Sequence, residues 1–62
     1  MAENLYYKLK HYNVQFNAGG LVNRVTARDL CELSPQDIAW VWVVEERRHA
    51  TPDEIWKLCK PA

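Results

Sequence analysis

"LSPQDIAWVWVVEERRHATPDE", Leu33 to Glu54, carries two conflicting structural signals. It opens with helix-start chemistry. Ser34 is a cap residue, Pro35 fits a first helical turn, Asp37 sits at the third position, and Leu33 can reach Ile38 as a hydrophobic staple. It continues as "IAWVWVV", in which four of seven residues are β-branched and two are Trp, a composition that favours strands. Arg47 and Arg48 then suit a helix C-terminus. A good cap is worth about 1 kcal/mol, while propensity differences are a few tenths per residue, so the balance tips to a helix over 35–48. The alternative is a short helix 27–33, a turn at Ser34–Asp37 and a third strand over 38–46.

Both conformations leave the same difficulty. As a strand, Ile38, Trp40, Trp42 and Val44 point one way and Ala39, Val41 and Val43 the other. As a helix, Ile38, Val41 and Trp42 share a face, while Trp40 lies about 200° from Trp42. Either way the segment has two apolar sides. Leu5, Leu9, Val14, Phe16, Leu30 and Leu58 are enough to cover one of them well. Either the segment is simply the core, or part of its surface stays open for a second copy or another protein.

Outward from this stretch, two more helix starts use the same grammar. At "VTARDL", Thr26 caps and Asp29 is at the third position. At "ATPDEI", Thr51 caps, Pro52 leads and Glu54 completes a capping box, so a helix is expected near 52–60. The first third reads as a hairpin. Leu5, Tyr7 and Leu9 share one face of a strand, as do Tyr12, Val14 and Phe16, with a change of parity near Lys10–His11. "NAGG" then supplies a turn, and Leu21–Val25 returns as the second strand. A first helix carrying Leu5, Leu9 and Tyr12 is the rival reading. The expected architecture is a small single α+β domain over 1–62: an N-terminal antiparallel β-hairpin followed by two or three short helices. It becomes ββαβα if Ile38–Val44 is the third strand.

The 62 residues allow one domain, and chains this short often add a disulfide, a metal or a second subunit. Eight basic and eight acidic residues balance to zero, which argues against a general polyanion binder. "MAENLYYKLK" lacks the apolar run of a signal peptide, and the longest apolar run, Ile38–Val44, is too short to span a bilayer. A soluble, cytoplasmic protein is expected, with Cys31 and Cys59 reduced and the chain a complete small reading frame.

Catalytic and metal-binding constellations do not emerge. His11, Cys31, His49 and Cys59 are scattered, so no metal or cofactor is expected. Neither cysteine sits with a positioned base, Glu45 and Glu46 diverge in direction, and "NAGG" lacks the Lys and Ser/Thr of a phosphate loop. An enzyme is therefore not expected. Trp and Tyr anchor interfaces, which makes Trp40, Trp42 and Trp56 candidate partner contacts. Glu45 and Glu46, with Asp53 and Glu54, could engage a basic site. Tyr6, Lys8, Lys10 and Tyr12 interleave basic and aromatic residues as single-strand binders do. The expectation is a protein–protein interaction module, a stoichiometric inhibitor or modulator of a larger protein such as phages and other mobile elements encode. The alternatives are a small nucleic-acid-binding regulator and a homodimeric structural protein.

Overall fold

The computed structural model describes residues 10–59. In chain order its elements are β1 (His11–Phe16), β2 (Asn23–Thr26), α1 (Ala27–Leu30), a 3-10 turn (Pro35–Asp37), β3 (Ile38–Val43), β4 (Arg48–His49) and α2 (Pro52–Cys59). The four strands form one sheet in the order β2-β1-β3-β4, and each neighbouring pair is antiparallel. The class is α+β, as expected. The helix over 35–48 is not formed. Its first three residues make a single 3-10 turn, and Ile38–Val43 is a central strand. The strand ends earlier than the 38–46 of the alternative, and a fourth short strand follows it.

Competing interactions explain that outcome. Ser34 makes no side-chain capping bond, so the local term that favoured the helix is missing. The strand instead pairs along its length with β1, from Tyr12 opposite Val43 to Phe16 opposite Ile38. Tertiary pairing thus outweighs local propensity. The chain reverses over residues 44–47, where Arg47 takes a positive φ of 53°. Its N–H donates to the Val43 carbonyl at 2.8 Å, closing the turn that brings Arg48 back beside Val43.

The other two helix starts are formed. The Thr26 hydroxyl accepts the Asp29 N–H at 3.3 Å at the head of α1. The Thr51 hydroxyl accepts the Glu54 N–H at 3.1 Å, and the Glu54 carboxylate accepts the Thr51 N–H at 3.4 Å, a reciprocal capping box on α2. Between β1 and β2, Gly19 and Gly20 have φ of 92° and 93°, a region L side chains rarely adopt. The hairpin is shorter than the sequence suggests: β2 starts at Asn23, and Leu21 is 88% exposed in the loop. Leu5, Tyr7 and Leu9, assigned above to the first strand, lie outside the described residues.

One sheet face carries the core. Tyr12 and Val14 from β1 meet Ile38, Val41 and Val43 from β3, and Leu30 and Cys59 cover them from the helices. Phe16, Val25, Ile55 and Leu58 pack around this cluster. Two successive residues of β1, Gln15 and Phe16, pair with Trp40 and Ile38, so Ala39 is an extra residue in β3. This bulge resets the pleat. Strict alternation would put Ile38 with the Trp residues and Ala39 in the core. The bulge instead buries Ile38 beside Val41 and leaves Ala39 exposed. At the same end, the Asn17 N–H donates to the Asp37 carbonyl and its side-chain amide to that of Gln36, both at 2.9 Å.

Candidate functional site

With the parity reset, Trp40 and Trp42 stand on the sheet face opposite the core. Both are partly buried, whereas their neighbours Val41 and Val43 are 0% and 1% exposed. Cross-strand pairing builds the rest of this face. Trp42 lies between Asn13 on β1 and His49 on β4, and Asn13 lies opposite Arg24 on β2. Gln15 pairs with Trp40. One row therefore reads Arg24, Asn13, Trp42, His49 across all four strands.

The row is connected. Arg24 Nε donates to Asn13 Oδ1 at 3.3 Å. The His49 ring meets both indoles edge-on, with centroids 4.8 Å from Trp42 and 5.6 Å from Trp40 and interplanar angles of 80° and 88°. Edge-to-face contacts of this kind hold the rings in place without covering them. The Gln15 amide bonds the Phe16 and Gly20 carbonyls, each at 3.3 Å, and anchors the loop beside the face. The result is a fixed aromatic surface bordered by hydrogen-bond donors. His49 is the member the sequence reading missed. Only the 44–47 turn places it against Trp42, and spacing alone does not reveal that register.

Of the acidic candidates, Glu45, Glu46 and Glu54 are engaged within the chain. Glu45 accepts the His11 backbone N–H and pairs with His11 Nδ1, both at 2.7 Å. These bonds hold its carboxyl at about 2, well below the ordinary value of 4.5. Glu46 bonds Lys10 and Arg48 Nε, both at 2.7 Å, and its carboxyl is lowered by those two partners in that order. Arg48 also grips Glu54 through two parallel bonds of 2.7 and 2.8 Å, so its guanidinium is held more firmly protonated. Lys10, Glu46, Arg48 and Glu54 thus form one exposed chain of ion pairs that ties the start of β1 to β4 and α2. Their own partners leave Glu45 and Glu46 poorly placed to capture a foreign cation.

The structure separates the remaining candidates. Tyr12 is 4% exposed, a core residue whose phenol is pushed up by burial, and a partner cannot reach it without opening the core. Its expected basic companion Lys10 is bound to Glu46. Tyr6 and Lys8, the other half of the interleaved basic–aromatic strand face, lie outside the described residues. Trp56 is 49% exposed on α2, in the helical layer rather than beside Trp40 and Trp42. It borders a groove of about 580 Å³ together with Cys31, Leu33, Pro35 and Cys59. Among the described residues no group of three metal-ligating side chains converges, and no helix is long and apolar enough to cross a membrane.

Comparison with protein-family models, with curated proteins and with solved structures finds no match to this chain.

Proposed function

We propose that the chain is a protein–protein recognition module whose contact surface is the open sheet face centred on Trp40, Trp42 and His49. The observation that carries the reading is the pleat of β3, which turns its two largest apolar side chains away from the core. Large aromatic groups held rigidly on a surface are what interface hot spots are made of, because they lose little entropy on binding. The border carries the Arg24 guanidinium, which suits a partner presenting backbone or carboxylate oxygens. The mode of action is occlusion: one copy covers one working surface of a larger protein, as a stoichiometric inhibitor or modulator in the cytoplasm. Antagonists encoded by phages and other mobile elements are the kind of protein that acts in this way. Trp56 belongs to a separate surface and is not required for this contact.

The test is affinity capture of a partner from the native host by wild-type chain and by Trp40→Ala and Trp42→Ala variants. Loss of a hot-spot Trp is expected to weaken binding by about 2 kcal/mol or more, roughly thirtyfold, while circular dichroism still reports a folded domain. Folded variants that capture the partner as well as wild type would sink the reading. A second reading has its own observation, the Arg24 guanidinium bonded to Asn13 in the same cross-strand row as Trp42, a basic group and an aromatic one on one sheet face, as single-strand binders use. The balanced charge counts against it. Titration of an oligonucleotide at two salt concentrations separates the two, since phosphate binding falls steeply with salt.

A further inference from the structure

The groove beside Trp56 brings together the chain's two cysteines. Cys31 and Cys59 are far apart in sequence, yet both line it, because α1 and α2 pack on each other over the same sheet face. Both thiols are free. Their settings differ. Cys31 is the C-cap of α1 and partly exposed, and its thiol donates to the Arg28 carbonyl at 2.9 Å. Cys59 ends α2 and is 1% exposed. Burial pushes its thiol up, and the charge of Cys31 adds to that, so the two sulfurs sense each other.

We propose that Cys31 and Cys59 are an oxidative modification site, forming a reversible internal disulfide by exchange with a low-molecular-weight disulfide. The Cys31 thiolate attacks one sulfur of the small disulfide. A Cys31–sulfur bond forms, the small S–S bond breaks, and one small thiolate leaves. Cys59 then gives up its proton to solvent and attacks the Cys31 sulfur, expelling the second small thiolate. In balance, two protein thiols lose two electrons and two protons, and the small disulfide becomes two small thiols. Attack depends on access, which assigns entry to the partly exposed Cys31 and resolution to the buried Cys59. The bridge joins the end of α1 to the end of α2 and shortens the freedom of the unfolded chain across the whole β3–β4 hairpin. It also fixes the wall of the groove one helical turn from Trp56.

The site is independent of the recognition face, and its test uses the intact chain in non-denaturing buffer. Incubation with oxidised glutathione is followed by alkylation, mass spectrometry and a thermal melt. The expected result is loss of two hydrogen masses, a Cys31–Cys59 linked peptide, and a melting temperature raised by about 10 °C or more, reversed by dithiothreitol. Cys59→Ser should stop at a stable mixed disulfide on Cys31, and Cys31→Ser should resist modification under the same conditions. The proposal fails if folded wild-type chain stops at glutathionylated Cys31, if the bridge appears only after denaturant is added, or if the product is a disulfide-linked dimer.

Discussion

Along β3, neighbouring residues meet two different environments. Ile38, Val41 and Val43 are 8%, 0% and 1% exposed under the helices, while Trp40 and Trp42, with larger apolar surfaces, remain partly open on the other side. Hydrophobicity does not make that division; the pleat does. Leaving an aromatic ring partly in water forgoes burial that would favour folding. The core face is closed by Leu30 and Cys59, whereas the open face is fixed by a His49 ring and polar neighbours. One face therefore holds the fold together, while the other keeps its aromatic rings partly open.

Substituting the two faces should give very different costs. Val41→Asp places a carboxylate with no partner in the centre of the core. The penalty is several kcal/mol, against a total stability of about 3–9 kcal/mol for a chain this long, so the variant should be unfolded at 25 °C. Trp42→Thr keeps a strand-forming residue and loses only partial burial and one aromatic contact, which should cost about 1 kcal/mol. Urea titrations followed by circular dichroism measure both. Equal losses would mean that the Trp face is as structural as the core.

The bulge makes a sharper test. Removing one residue from a regular strand normally turns every side chain beyond it to the wrong face. Deleting Ala39 should not, because Ala39 is the residue with no place in the β1–β3 pairing. Ile38 would stay opposite Phe16 and directly precede Trp40, giving a plain alternation with Ile38, Val41 and Val43 inward. The expected change in stability is within about 1 kcal/mol. A slipped register would expose Ile38 and cost about 1.5–3 kcal/mol, visible as a lower urea midpoint.

The same residue explains how far the sequence could be read. The caps at Thr26 and Thr51 were legible because each acts within four positions, and both are formed. The set Tyr12, Val14 and Phe16 was legible because a two-residue period spans no irregularity, although its use as a core face makes Tyr12 unavailable to a partner. At "IAWVWVV" local signals pointed the wrong way: Ser34 looked like a cap and makes no capping bond. The apparent excess of apolar surface was partly an error of parity, since Ile38 was grouped with the Trp residues that the bulge separates from it. The case for Trp40 and Trp42 as partner contacts rests on their size and does not depend on that parity. His49 and the Arg48 ion pairs were not legible, for they depend on a turn whose register no local pattern encodes.

The edge of the open face adds a smaller difference, one of pH. Glu45 links the turn after β3 to His11, which lies at the start of β1 on the same side as Asn13 and Gln15. Its folded carboxyl titrates at about 2 instead of 4.5. A depressed carboxyl contributes stability that is fully present above its unfolded value and is lost as pH falls through the folded one. The contribution should therefore fade between about 4.5 and 2. The pair is exposed, so salt should weaken it as well. Glu45→Gln should be less stable than wild type at neutral pH, and the gap should close across this window. Among the described residues the core holds no buried polar or charged side chain to titrate there. If the gap persists at pH 2, the bond from the His11 backbone N–H does not need the carboxylate's charge, and Glu45 acts on the open face as a neutral acceptor.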